Sequence, residues 1–233
     1  MASTDLILTL AGARLAIEPA GGLTAPIDLT IGPDELVVLD LAGPRRCAAF
    51  ADAVAGVLPP GDGHVMFLGR DWHDETPEKA QALRGRIGRL FAAEAWLPWL
   101  SIPDNVLLAP TYHTRIPRAA LLVQAAALAR RFGLPGLPVG FPEAVAPRDL
   151  ARVGLARAFL GAPRLVMLEK PVEAPEPDVL TGLLAAIRQV RDDGGAVLWL
   201  THGTSFVADR TLPATQRWRL IGNRLVPVMA RAA

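Results

Sequence analysis

The sequence predicts a mixed α/β domain on a largely parallel core sheet. Three apolar runs carry the prediction: Leu36–Asp40, Arg164–Leu168 and Ala196–His202. Each is short, lacks polar alternation and either ends in a polar or charged residue or is followed at once by one, as expected of strands buried on both faces. Amphipathic segments at helical spacing lie between them, so strand and helix alternate along the chain. The 233 residues suffice for one such domain with an insert, and the expectation is a single domain over 1–233.

Composition removes several classes. Hydrophobic residues make up 51% and mean hydropathy is +0.30, yet no run approaches the roughly 20 apolar residues of a membrane span. Met1-Ala-Ser-Thr-Asp5 shows no basic region ahead of an apolar core, so a cytoplasmic protein without a secretory leader is expected. A single cysteine, Cys47, rules out an internal disulfide. A net charge of +1 gives no electrostatic case for nucleic acid. His64, His73, His113 and Cys47 lack metal-ligand spacing, so no metal site is expected.

In chain order, Leu6–Leu10, Arg14–Ile17 and Ile27–Ile31 read as short strands, the last alternating Asp28 and Thr30 with Ile27, Leu29 and Ile31. Leu36–Asp40 is the first buried strand. A loop follows, then a helix over Phe50–Val57. Leu58-Pro-Pro-Gly-Asp-Gly63 is a turn, and His64–Gly69 another strand. Pro77–Arg84 starts a helix, and Arg86–Phe91 is a strand. Ala119–Phe132 is an amphipathic helix that Gly133 would end. Ala151–Phe159 is a short helix with Val153, Leu155, Ala156 and Phe159 on its apolar side. Val179–Arg191 is a further helix, and Trp218–Val226 a hairpin turning at Gly222-Asn223.

Two segments carry a family resemblance. The run from Ala151 through Arg152, Arg157 and Leu165-Val-Met-Leu-Glu-Lys-Pro171 resembles the signature helix and Walker B strand of ABC transporter ATPases. Gly56-Val-Leu-Pro-Pro-Gly-Asp-Gly63 resembles the stretch that closes the helix after their phosphate loop. The resemblance spans about residues 5 to 226. It implies the P-loop-type ABC ATPase fold, with an antiparallel β part near the N-terminus and a small helical subdomain inserted at about 75–160.

Aligned in this way, the positions that handle nucleotide in that family hold other residues here. The phosphate loop falls on Leu41-Ala-Gly-Pro-Arg-Arg-Cys-Ala-Ala49. Such a loop needs glycines to turn N–H groups toward phosphate, a lysine for the β/γ oxygens and a hydroxyl for Mg²⁺. Pro44 and Arg46 take glycine positions, Cys47 the lysine, and Ala48 and Ala49 the hydroxyls, while Gly43 sits out of register. Losing three contacts of about 1.5–3 kcal/mol each weakens binding by on the order of 10³–10⁶-fold. The plain reading is a strand-to-helix loop without ligand; Arg45 and Arg46 could draw an anion or simply be solvated.

The remaining motif positions follow suit. The resemblance places the Q-loop glutamine at Ala92 and the signature contacts at Ala146, Pro147 and Arg148, with Asp149 for Gln. Glu169 stands where an Asp holds Mg²⁺ through water, and Lys170 where a catalytic glutamate polarises water. An ammonium cannot accept that proton; the structural reading of Glu169–Lys170 is strand-end ion pairing with neighbours. Glu176 takes the D-loop aspartate position, and His202 matches the switch histidine.

The resemblance also supplies partners. Trp96-Leu-Pro-Trp-Leu100 falls where the family receives its permease, so Trp96, Leu97, Trp99 and Leu100 are candidate docking residues, with core packing the alternative. Asn105–His113 is similar to a segment of Mce-type lipid-transporter ATPases. Together these imply a degenerate cassette without cofactor, structural or regulatory in a transport complex that could carry lipid. It would sit on the inner membrane face with multi-span permeases, paired with itself or another cassette. The alternatives are an ATPase binding ATP and Mg²⁺ through Arg45, Arg46 and Glu169, and a soluble adaptor.

Overall fold

The computed structural model describes residues 6–17, 22–92, 95–171, 177–203 and 207–228. Its centre is a six-stranded sheet in the order β10-β9-β3-β8-β7-β6. These strands are β3 (Leu36–Asp40), β6 (Ile87–Leu90), β7 (Leu165–Glu169), β8 (Ala196–Thr201), β9 (Gln216–Ile221) and β10 (Arg224–Pro227). All neighbours run parallel except the β9–β10 hairpin. A second, antiparallel sheet, in the order β2-β1-β4-β5, is built from β1 (Leu8–Arg14), β2 (Ile27–Ile31), β4 (Asp62–Phe67) and β5 (Arg70–Asp71).

Period-two alternation on the buried strands divides the core into two. Leu36 and Val38, with Val166, Leu168, Val197 and Trp199, face helices α3 (Ile102–His113), α4 (Arg118–Arg131), α5 (Pro147–Phe159) and α6 (Pro177–Asp192). Val37 and Leu39, with Met167, Leu198 and Leu200, face the antiparallel sheet and helix α1 (Pro44–Val54). Helix α2 (Pro77–Arg84) precedes β6. Both faces of β3, β7 and β8 are thus covered, which is why these strands show no polar alternation.

Two sequence expectations need correction. In place of strands at Leu6–Leu10 and Arg14–Ile17 there is one strand, β1, which runs through the gap between them to end at Arg14, leaves Leu15–Ile17 outside any strand, and shifts register between Leu10 and Ala13. Gly12, at φ 58, lets the chain bulge and continue, and its N–H donates to Asp28 Oδ1 (2.8 Å). The helix expected at Phe50–Val57 begins at Pro44 and ends at Val54. Pro44 occupies the first turn, where its missing N–H costs nothing and its fixed φ suits the helix. Ala55 caps it and Gly56, at φ 64, turns the chain away; a Cβ there would lie 2.3 Å from the Trp72 ring, so the position needs glycine.

Candidate functional site: the strand ends around the phosphate-loop position

In an open α/β sheet, ligand chemistry gathers beyond the C-terminal ends of the parallel strands. Here β3 ends at Asp40, β7 at Glu169 and β8 at Thr201, and β6 runs into Phe91 and Ala92. Both carboxylates are buried and each is tied to an arginine.

Asp40 closes the β3 side. Its Oδ1 accepts from Ala42 N and Gly203 N (3.2 Å each), and its Oδ2 from Arg219 Nε on β9 (3.0 Å). Leu41 N–H donates to Thr201 O (2.9 Å). The chain then enters α1 with Gly43 as N-cap, no side-chain cap and no acidic residue in its first turn. Arg45 is exposed and Arg46 half-buried there. Cys47 points inward, fully buried, with its Sγ 3.5 Å from Thr201 O. Burial, then the Glu169 and Asp40 carboxylates, push its thiol up to about 12. The lysine position therefore holds a neutral group packed into the core.

Glu169, only 1% exposed, closes the β7 side. Its Oε1 accepts from Arg89 Nε at 2.6 Å and its Oε2 from Ala92 N at 3.4 Å. Arg89, on β6, also donates from one terminal nitrogen to Asp52 Oδ1 (2.5 Å) and from the other to Ala48 O (3.3 Å). Its guanidinium carbon lies 4.5 Å from the centre of the Phe91 ring. The sequence reading missed Arg89 and Asp52. The available signal was Glu169 itself, since a carboxylate ending an apolar strand needs a buried cation.

The other positions are dispersed. Lys170 is half-buried, with its N–H on Leu200 O (2.8 Å). It adopts φ 50, and Ala42 adopts φ 56. Left-handed backbone at non-glycine residues costs roughly 1–2 kcal/mol, so both loops hold an unusual shape at the ends of β3 and β7. His202 is half-buried at the end of β8. Ala146, Pro147 and Arg148 are exposed at the start of α5, with Asp149 half-buried. Pro147 removes one N–H that a phosphate would need. Glu176 lies outside the described residues.

The candidate docking loop splits into two halves. Trp96 is half-buried against the helical core, with the Arg157 guanidinium 4.3 Å from its ring. Burial pulls the Arg157 pKa down to about 10, and its NH1 donates to Ala95 O (2.9 Å). Trp99 is 70% exposed, whereas Leu97 and Leu100 are half-buried. Buried Asn105 on α3 sets the loop's path: its Oδ1 accepts from Leu97 N, and its Nδ2 donates to the carbonyls of Leu97, Leu100 and Ser101 (2.8–3.1 Å). Nearby, a groove of about 480 Å³ lies among β6, α3 and α5, with Phe91, Leu108, Tyr112 and Arg157 on its walls.

No protein-family model matches the chain. Over 206 residues it is 26% identical to the oligopeptide transport ATP-binding protein OppF of Escherichia coli, covering 84% of this chain and 61% of that protein. Over 159 residues it is 32% identical to the methionine import ATP-binding protein MetN of Rhizobium etli, covering 66% and 44%. The dimeric post-hydrolysis structure of the ATP-binding cassette MJ0796, bound to ADP and Pi, superimposes with a TM-score of 0.78 at 16% identity, covering 96% and 99% of the two chains. The chain belongs to the ABC transporter ATP-binding family.

This ABC cassette spans less than two thirds of the length of OppF and MetN. No helix among its described residues is long and apolar enough to cross a membrane. Its residues do not fit the Mg²⁺-nucleotide that the family implies. Cys47 is buried at the lysine position, Ala48 offers no hydroxyl, and a guanidinium already holds Glu169. Among the described residues, no group of three His, Cys, Asp or Glu side chains is placed to hold a metal ion.

Proposed function

We propose that this ABC cassette is a pseudo-ATPase, a structural or regulatory subunit of a membrane transport complex that keeps the fold and a docking face but does not run the nucleotide cycle. The observation that carries the reading is Cys47. The side chain that should reach phosphate is instead a core residue whose thiol touches Thr201 O. Opening the site would require unpacking α1 from β8.

Docking is supported by exposed Trp99, Leu108 and Tyr112 on and beside the loop that Asn105 braces. We assign this face to a cytoplasmic segment of a multi-span permease, with the cassette peripheral on the inner membrane face. MJ0796 is a dimer in its solved form, and a pairing of this chain with itself or another cassette follows the same pattern. Cargo is less constrained. OppF and MetN carry oligopeptide and methionine transport in their names, while lipid cargo rests on the Asn105–His113 resemblance.

A Mg-ATP titration of the purified chain tests the reading. Saturable binding tighter than about 0.1 mM, with turnover lost in Glu169→Gln, would establish the ATPase alternative. Absence of such binding, together with a permease and a second, intact cassette co-purifying from gently solubilised membranes, is the expected result. Recovery of soluble partners alone would favour an adaptor.

A further inference from the structure

In this family three positions meet at the metal: the phosphate-loop hydroxyl, the Q-loop glutamine and the Walker B carboxylate, here Ala48, Ala92 and Glu169. All three converge on one cluster. Arg89 donates to Ala48 O at 3.3 Å and to Glu169 Oε1 at 2.6 Å, and Glu169 Oε2 takes the Ala92 N–H at 3.4 Å. Asp52 adds a second carboxylate at 2.5 Å.

We infer that the Arg89 guanidinium is a tethered cation that stands in for the divalent metal ion of the cassette, so that the cluster is complete without metal.

The chemistry supports the assignment. Glu169 is 1% exposed, and a carboxylate that deep needs a compensating charge. A guanidinium stays charged at any physiological pH and presents five N–H donors in a planar fork. Its Nε and both terminal nitrogens are used here, on two carboxylates and one carbonyl. A divalent ion approaching the same oxygens would meet the guanidinium at contact distance, a like-charge encounter in a partly desolvated site. The cluster also joins α1, β6, β7 and the start of the loop after β6, so these elements are held in register by a side chain instead of by a dissociable ligand.

The inference shares its alignment of Ala48, Ala92 and Glu169 with the proposed function but fails separately. Nucleotide binding decides that proposal, whereas the response to divalent ions without nucleotide decides this one. The experiment measures thermal unfolding of the full chain in EDTA and in about 5 mM Mn²⁺, with free Mn²⁺ followed by electron paramagnetic resonance. A site with a Kd of about 0.5 mM would raise the midpoint by about 4 °C.

Wild type is expected to show no such rise and to deplete no Mn²⁺. Arg89→Ala, which leaves Glu169 and Asp52 without their cation, is expected to lose about 10 °C in EDTA. Mn²⁺ should restore at least half of that loss at one site, and Glu169→Gln added to Arg89→Ala should abolish the Mn²⁺ response. If Arg89→Ala does not fold, Arg89→Leu/Glu169→Leu, which removes both charges, should fold with a midpoint within about 5 °C of wild type. Three results would each overturn the inference: a Mn²⁺-induced rise in wild type, an Arg89→Ala protein as stable as wild type or indifferent to Mn²⁺, or a double-leucine variant that also fails to fold.

Discussion

The reactivity of Cys47 toward a disulfide reagent asks whether the loop after β3 is shut. The thiol is fully buried, and burial, Glu169 and Asp40 move its pKa from 9.0 to about 12. At pH 8 the thiolate fraction falls from about one in ten to about one in 10⁴, a reduction of about 10³-fold before access is considered. Native protein should therefore react with Ellman's reagent at least about 10³ times more slowly than the same chain in urea, and ATP should add no protection. The raised pKa also fixes a pH dependence. The unfolded thiol ionises first, so the stability tied to the neutral thiol is fully present below pH 9 and lost as pH rises toward 12. The slope is about 1.4 kcal/mol per pH unit, or about 4 kcal/mol in all. Cys47→Ala, which lacks the group, should lose stability less steeply between pH 9 and 11 when urea midpoints are compared. Native labelling within minutes, or parallel decline of the two proteins, would refute the reasoning, because either would mean the position is solvent-accessible.

Other perturbations separate bracing from docking. Arg157→Ala removes a cation stacked on Trp96 at 4.3 Å and a bond to Ala95 O; a loss of about 2 kcal/mol in urea unfolding and a red-shift in tryptophan emission are expected. Asn105→Leu strips the Leu97 N–H and the Leu100 carbonyl of their partner and removes one of two bonds at the Leu97 and Ser101 carbonyls, which keep the N–H groups of Leu100 and Asn105. It should cost about 2–4 kcal/mol and raise hydrogen exchange at Leu97 selectively. Trp99→Ala should leave the urea midpoint within about 0.5 kcal/mol of wild type yet release the protein from membranes, whereas Trp96→Ala should lower the midpoint. Equal effects of the two tryptophans on membrane association and stability would remove the distinction.

The sequence made the sheet legible because β3, β7 and β8 are buried on both faces, which compresses their composition to Ala, Leu, Val, Met and Trp ahead of a polar last residue. Helix starts were harder to read. Pro44 reads as a breaker in a loop, whereas in the fold it opens α1. Gly12 likewise reads as an interruption in a strand that merely bulges there. The tryptophans were ambiguous for a different reason: Trp96 and Trp99 lie on an irregular loop, where no period assigns a face, and the partners that separate them, Arg157 and Asn105, are remote in sequence. Arg89 was the least visible. Glu169 advertised the need for a cation, but the chain has 24 basic residues, and only the parallel pairing of β6 with β7 selects the one that supplies it.

The proposed loss of nucleotide handling would constrain how this cassette assembles. In the family each nucleotide lies between the phosphate loop of one subunit and the signature of the other. Here Cys47 is buried and Arg89 bonds Ala48 O at the first, and Pro147, which offers no N–H, opens the helix at the second. Losing only one half would leave a dimer with an intact cassette one working site. The pseudo-ATPase proposal has both halves lost, which would spoil each of the two composite sites, so pairing with an active cassette would silence it instead of sharing its work. A chain under that constraint either pairs with itself in an assembly powered elsewhere or holds an active partner off. The Arg89 cluster suits both roles, since it fixes α1, β6 and β7 without waiting for a ligand.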